Sequence, residues 1–553
     1  MSDEQRQVRI DKLARLRAQG VAPYPDRYER THSLGEAADL AEGTAGLRVA
    51  GRLVAVRDFG KLTFAHLQDS SGRLQIALDR NVLDERTWGL FHDLIDRGDF
   101  LGVEGELFRT KLGELTLRAR GLTLLGKALR PLPEKWHGLQ DPELRQRRRY
   151  LDLLMSPETR DRFQARTRVV RALRAFLDGR GFQEVDTPVL QTVPSGASAR
   201  PFVTHHNALD MPVYLRISPE TWLKRLIVGG YDRVYEFARS FRNEGMDPSH
   251  LQDFTILEYY CAYWNWEDNL HFTEELVRHV VQEIRGSLRL PWRGREIDFS
   301  GTWPRLDLAE VIERHAGIRI DDHPTAESLG EAAKARGIRV ERMEALGRGA
   351  LVDALYKACA RDHLVQPCFL TGVPAETLPL ARRSDGDPRR ADCFQLLVNG
   401  WELVKAYSEL VDPLDQRERF LEQERLRGAG DEEAMFLDED YLLAMEHGMP
   451  PISGWGMGLE RVCALLAGAE SLREVVFFPL LRPEGAPGEG NADTSGDIDD
   501  LGITRERAEA LLREHVTTES LRRHCYASAA VLEAVAERFS KNRDAFWCIG
   551  LLH

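Results

Sequence analysis

Between residues 48 and 125 apolar and polar positions alternate in five short runs, LRVAGRLVAV, KLTFAHLQD, GRLQIALD, DFLGVEGELF and GELTLRARGLTLL. Glycine or Asp/Ser turns separate them, and a period of two marks half-buried strands. A helix-like insert, DERTWGLFHDLID, interrupts the series. Five short strands with one inserted helix predict a small closed β-barrel, of the OB type or a related one. Ahead of it, MSDEQRQVRIDKLARLRAQG has a charged, helical pattern without an apolar signal core. Behind it, RPLPEKWHGLQDPELRQRRRYLDLL reads as a proline-stiffened basic linker that enters a helix.

The pattern changes after residue 150. TRVVRALRAFLDGRG has helical spacing and ends on a glycine stop, and FQEVDTPVL follows as an extended segment with Pro188 near its end. Strand-like runs recur at RVYEFARSF, TILEYYCAY, FQLLVNGWELVKAYSEL and VVFFPLL, with helical insertions between them, the largest spanning roughly 267–365. Strands joined by long connections without regular βαβ alternation predict an antiparallel sheet flanked by helices, hence an α+β protein. Residues 483–500, PEGAPGEGNADTSGDIDD, read as a disordered linker, and a short helical segment closes the chain. The expected division is 1–145 (helix and barrel), 146–482 (sheet with helices), 483–500 (linker) and 501–553 (helices).

Composition narrows the class. At 553 residues the chain exceeds a single core. No run of about 18 apolar residues offers a membrane span. Seven scattered cysteines, odd in number and without a CxxC pair, suit free thiols in a reducing cytoplasm. The net charge of −13 argues against a protein that merely coats nucleic acid. Yet Phe108–Tyr150 carries 11 Lys/Arg against 4 Asp/Glu, which is either a basic patch or a solvated face.

The candidate chemistry lies in three stretches. GWGMGLERVCALLAG (454–468) fails as a dinucleotide loop because the third glycine position is Leu459, and neither a Walker A nor an HExxH pattern occurs. What remains is a glycine-rich strand running into an apolar helix with Arg461 on its first turn; by itself that arginine reads as a surface charge. FARSFRNEGMDPSHLQDFTILEYY (237–260) clusters Arg239, Arg242, Glu244, His250, Asp253 and Glu258 about a hairpin loop, with Phe254 beyond it. An arginine fork suits a phosphate, and an adjacent aromatic can stack a base; the plain alternative is a charged hairpin in water. Glu258 stands alone among Ile256, Leu257, Tyr259, Tyr260 and Tyr263. Buried there, it must take up a proton or meet a cation.

SFRNEG followed by HLQDF and LEYYCAY resembles motif 2 of the class II aminoacyl-tRNA synthetases, the lysyl enzymes in particular. GRGFQEVDTPVL resembles motif 1, with Pro188 as its proline, and GWGMGLERV resembles motif 3. The likeness also takes in GELFRTKLGELTLRARGLTLLGKALRPLPEKWHGLQD and PSGASARPFVTHHNALD, and runs over nearly all of 1–482. It implies a cytoplasmic homodimer, joined through the motif 1 region, with an OB anticodon-binding domain ahead of the catalytic domain, that uses ATP and Mg²⁺ to attach L-lysine to lysine tRNA through a lysyl-adenylate.

The same resemblance assigns roles. Arg242 and Arg461 hold the α- and γ-phosphates of ATP and are the catalytic residues, Phe254 stacks on adenine, Glu244 contacts its edge, and His250 approaches the phosphates. Glu220 takes the α-ammonium of lysine beside Gly196; Glu258, Tyr260 and Glu409 ring its ε-ammonium, and Tyr407 flanks the methylene stem. Arg57, Phe64, Gln75 and Glu114 match positions that read the anticodon. Two positions depart from the family. Glu402 supplies one magnesium carboxylate, but Gln395 stands where the family has the second, and Lys405 replaces the asparagine that touches the substrate carboxylate.

The segment SLRRHCYASAAVLEAVAERFSKNRDAFWCIGLLH resembles the start of an HD-type metal phosphohydrolase domain, with His524 and His553 at ligand positions and the chain stopping one residue before the aspartate of the HD pair. It is expected to be a truncated, inactive domain. Two other readings bear on function. A synthetase for aspartate or asparagine needs a cation where Glu258 and Glu409 stand. A paralogue that binds tRNA or activates another substrate, without full aminoacylation, draws on Gln395 and Lys405 but is opposed by three intact motifs.

Overall fold

A computed structural model describes residues 3–133, 141–245, 250–341, 343–428, 433–483, 503–538 and 542–552. The chain divides into two compact units, one ending at Leu480 and the other beginning at Leu481.

The first unit opens with the helix Asp3–Ala18 and a closed barrel of the strands Leu47–Asp58, Leu62–Gln68, Arg73–Asp79, Phe100–Arg109 and Leu115–Gly126. Going around the barrel, the order is first, second, third, fifth, fourth, and the first strand closes on the fourth. The expected alternation is present: Thr63, Ala65 and Leu67 point inward while Leu62, Phe64 and His66 are half-buried on the other face. The inserted helix Glu85–Leu94 starts at Asp84, whose side chain accepts from the Thr87 N–H, and it buries Trp88, Phe91 and Leu94. This is the OB arrangement of strands and helix.

The larger part of the first unit is an eight-stranded sheet. Its order is Arg305–Asp307, Cys368–Thr371, Cys393–Val398, Trp401–Ser408, Ile452–Gly458, Asp253–Ala262, Arg233–Phe241 and Gln183–Glu184. The six inner strands run antiparallel to one another. The two edge strands pair in parallel, which the antiparallel expectation did not include. One face packs on the helices Pro157–Asp178, Trp266–Arg285 and Leu459–Ala467. Trp455 stacks on Tyr259 at 4.7 Å and donates through Nε1 to Thr273 Oγ1 at 2.8 Å. A second apolar core lies under the insert, around Ile312, Leu329, Leu351 and Leu355.

Two runs fold differently from their pattern. FQLLVNGWELVKAYSEL is a hairpin, because Asn399 and Gly400 both take positive φ (48° and 72°), the conformation of the tightest two-residue turn. VVFFPLL forms no strand: Val475 is buried, and Phe477 turns to stack on Phe163 at 3.9 Å.

The second unit contains the helices Arg505–His515, Glu519–Arg538 and Arg543–Leu552 around Leu512, Ala529, Trp547 and Leu551. Gly550 permits the last two to touch, since a Cβ there would lie 2.7 Å from the Ala529 Cα. His524 is exposed on the middle helix, and His553 lies outside the described residues, as does 484–502, nearly the whole expected linker.

Candidate active site

Along Asp253–Ala262 the pleat separates two functions. Leu257, Tyr259 and Cys261 enter the apolar core, while Ile256, Glu258 and Tyr260 line a cavity of about 390 Å³ on the opposite face. The neighbouring strand Ile452–Gly458 alternates in the same way: Trp455 and Met457 face the core, and Gly454, Gly456 and Gly458 face the cavity. The glycines that failed as a nucleotide fingerprint are therefore the floor of the site.

Register shows why they must be small. Tyr407, Gly454 and Tyr260 form one cross-strand row, and Lys405, Gly456 and Glu258 form the next. Each glycine leaves a trough between two large functional side chains. A methyl group at 454 would overlap both Glu409 Oε1 and the Tyr260 ring. Gly196, at φ +90°, is restricted similarly, since a Cβ there would come within 3.0 Å of Glu220 Cβ.

Three buried carboxylates define one end. Ser218 Oγ donates to Glu258 Oε1 at 2.8 Å, and Tyr260 Oη donates to Oε2 at 3.2 Å. Burial, reinforced by the charge of Glu220, pushes the Glu258 carboxyl up to about 8 against those two hydrogen bonds. Glu220 begins the helix Glu220–Val228 and accepts from Tyr407 Oη at 2.7 Å and from Lys224 Nζ at 2.6 Å. Glu409 pairs with the same Lys224 ammonium. Burial lowers the Lys224 pKa; Glu220 and Glu409 outweigh this and carry it above the ordinary lysine value. Burial likewise raises Glu409, against the pull of Lys224.

The other end is cationic. Arg242 and Arg461 both line the cavity, and the Arg242 guanidinium lies 5.1 Å from the Phe254 ring centre. Its Nε–H is buried without a hydrogen-bond partner among the described residues, a donor suited to an anionic group in the cavity. Burial lowers the Arg242 pKa, and the charges of Glu244 and Glu258 oppose that effect. Arg461 is held by its Nη1–H bond to the Glu402 carbonyl oxygen at 2.8 Å. Glu460, beside it, accepts from Arg166 and from the Thr255 N–H, which ties the helix Leu459–Ala467 to the Phe254 strand. Glu244, His250, Glu402 and Lys405 also line the cavity.

Gln395 sits directly across from Lys405 in the hairpin, on the same face, and is not among the residues that line the cavity. Magnesium asks for oxygen ligands and commonly takes one or two protein carboxylates plus substrate phosphates. No group of three or more His, Cys, Asp or Glu among the described residues could hold a metal by itself. The single carboxylate of Glu402, on the arginine side of the cavity, fits the shared arrangement with phosphates.

On the barrel, Arg57 is the cross-strand partner of Phe64, and Gln75 that of both His66 and Thr116. Gln75 is buried and donates to Thr116 Oγ1 at 2.8 Å, while Glu114 is exposed and lies 3.4 Å from His66 Nε2. Phe59, 68% exposed, meets Phe64 edge-on at 6.1 Å. The four predicted positions thus share one surface of the barrel. Sequence reasoning missed Phe59 and His66 there, Ser218 in the cavity and Lys224 paired with Glu220 and Glu409; the Glu220–Lys224 spacing of four on a helix was the available signal for the last.

An antiparallel sheet with arginines and an aromatic at one end of its cavity, an amino-acid-sized polar recess at the other and an OB barrel upstream defines a class II aminoacyl-tRNA synthetase. Comparison with known proteins agrees. Residues 141–482 match the family "tRNA synthetases class II (D, K and N)", and 47–125 match "OB-fold nucleic acid binding domain". The chain belongs to this family of class II tRNA synthetases. Its relatives include a lysine–tRNA ligase from Pelotomaculum thermopropionicum, 45% identical over 87% of this chain and 95% of that one. Others carrying the same name come from Magnetococcus marinus (45% identical, 87% and 98% covered) and Salmonella paratyphi B (43%, 86% and 96%). Residues 483–553 lie beyond both family matches.

The carboxyl of Glu258 should titrate with a midpoint about 8, read by ¹³C NMR of labelled glutamate in the ligand-free protein. Ser218→Ala removes a hydrogen bond that favours the charged form, so the midpoint should move higher still. A midpoint near the ordinary 4.5 would contradict the burial described.

Proposed function

We infer that this protein attaches L-lysine to its cognate tRNA in an ATP-dependent reaction that proceeds through lysyl-adenylate. The observation that carries the reading is the set of buried groups at one end of the cavity, where Glu258 and Tyr260 line it and Glu409 meets Tyr260 at the Gly454 trough, with Arg242 and Arg461 lining the other end. Relatives over nearly the whole length of the family match are named lysine–tRNA ligases.

In this reading the two carboxylates and the Tyr260 phenol accept the three N–H donors of the ε-ammonium. Glu220, below Gly196, takes the α-ammonium, and Tyr407 lies along the stem. Lys405 meets the substrate carboxylate. That carboxylate attacks the α-phosphorus of ATP, an oxygen–phosphorus bond forms, and pyrophosphate leaves. Arg242 and Arg461 stabilise the charge on the phosphates, which needs fixed guanidiniums more than proton transfer. Phe254 stacks on the adenine, with Glu244 at its edge and His250 near the phosphates. Glu402 would hold Mg²⁺, which neutralises phosphate charge when bound; Gln395 offers a neutral amide where the family has a second carboxylate, and the adjacent Lys405 ammonium supplies positive charge locally.

The barrel surface of Arg57, Phe64, Gln75 and Glu114 reads the anticodon, Phe64 by stacking on an unpaired base. We place the enzyme in the cytoplasm as a homodimer joined through the motif 1 region. Free cysteines and the exposed apolar residues Val189, Leu190 and Val203 support that placement. The HD resemblance of the second unit rests on sequence alone, and no part in aminoacylation is assigned to it.

Lysine-dependent charging of lysine tRNA tests the activity. Glu258→Gln should raise the lysine KM by roughly 10²-fold or more and leave the ATP KM within about threefold; an unchanged lysine KM would overturn the assignment. Phe64→Ala should weaken tRNA charging by about 1–3 kcal/mol while sparing lysine-dependent pyrophosphate exchange. Equal loss in both half-reactions would remove Phe64 from anticodon reading.

A further inference from the structure

Lys224 has no place in the roles assigned above, yet it is the most deeply enclosed cation of the cavity region. Its side chain is 0% exposed. The Nζ lies 2.6 Å from Glu220 Oε1, pairs with Glu409, and sits 5.9 Å from the ring centres of Tyr260, Tyr407 and Tyr441. Acids and phenols from several elements lie around it. Its own helix gives Glu220, the strand Asp253–Ala262 gives Glu258 and Tyr260, the chain through 401–409 gives Tyr407 and Glu409, and the helix Glu439–Glu446 gives Tyr441. The next cation on the helix, Arg225, points elsewhere and bonds Asp438 at 2.8 Å.

We propose that Lys224 is a fixed internal counter-ion that sets the charge, and thereby the specificity, of the amino-acid pocket. Three carboxylates, Glu220, Glu258 and Glu409, surround the recess, and one ammonium is built in. The formal balance left for a ligand is −2, which matches an amino acid whose α-ammonium is joined by a cationic side chain. Buried charges that lack a partner are strongly disfavoured, so Glu409 without Lys224 would hold a proton and present a hydroxyl donor to an ammonium that needs acceptors. Lys224 therefore positions Glu220 and Glu409, and favours Glu409 as an acceptor, without touching the reacting atoms. The argument rests on the lysine reading for its substrate, although the ion pair itself does not.

The test uses the full chain. Lys224→Met keeps the volume and removes the charge; Lys224→Ala also leaves room for a small cation. In the ligand-free protein, ¹³C NMR should show the carboxyl of Glu409 titrating at higher pH in K224M than in the unaltered protein. This arm needs no substrate, so it stands or falls apart from the lysine assignment. In pyrophosphate exchange, K224M should raise the lysine KM by ~10²-fold or more, with the ATP KM within about threefold, and its lysine KM should improve as pH rises from 7 to 9. Methylammonium should restore exchange in K224A at least tenfold, and should only inhibit the unaltered protein. An unmoved Glu409 titration in folded K224M would overturn the proposal, as would lysine and ATP KM values rising together without rescue by methylammonium. Failure of the unaltered protein to exchange with lysine would remove the substrate reading and leave the NMR arm to decide the counter-ion.

Discussion

Removing a carboxylate from water costs several kcal/mol unless a cation or several donors meet it, and here Glu220, Glu258 and Glu409 are buried around one recess. Much of the surrounding structure answers that constraint. Ser218 and Tyr260 donate to Glu258, Tyr407 and Lys224 serve Glu220, and Lys224 also reaches Glu409. What these contacts leave unsatisfied is the attraction for a further cation. The affinity of the pocket is in this sense stored electrostatic cost, released when an ammonium arrives.

The sheet makes the arrangement possible by giving each strand two occupations. Leu257, Tyr259, Trp455 and Met457 form the core on one face; Glu258, Tyr260, Gly454 and Gly456 form the site on the other. A one-residue slip in either strand would exchange the two sets and bury the wrong side chains. The large aromatic pair on the core side therefore fixes the register on which the cross-strand rows of the site depend. The arginine end is tied into the same frame, because Arg461 bonds the Glu402 carbonyl and Glu460 bonds the Thr255 N–H.

Much of this was legible in the residues. Period-two alternation disclosed the barrel, and a lone acid in an aromatic strand pointed to a buried charge at Glu258. The glycines of GWGMG were visible as a motif, but their function as troughs required the register of two flanking strands. Lys224 was hidden for a physical reason: a Glu–Lys pair four apart on a helix ordinarily marks a solvated face, and only tertiary burial makes it a core pair. Asn399–Gly400 carried a turn signal that the continuous apolar run around it masked. The run 475–481 has the composition of a strand, yet ring packing of Phe477 on Phe163 took precedence over strand pairing. The HD resemblance at the C-terminus depended on two histidines, of which His524 is exposed and His553 lies outside the described residues, so geometry adds nothing to it.

The central claim is that buried negative charge selects the substrate, and norleucine isolates it, since it has the length and shape of lysine with a methyl group in place of the ammonium. Amino-acid-dependent pyrophosphate exchange should favour lysine over norleucine by roughly 10³-fold or more in kcat/KM, because a neutral tip gives Glu258 no cation to ionise against and gives Glu409 none beyond Lys224. Discrimination of less than about tenfold, the range that hydrophobic fit alone can supply, would contradict the account.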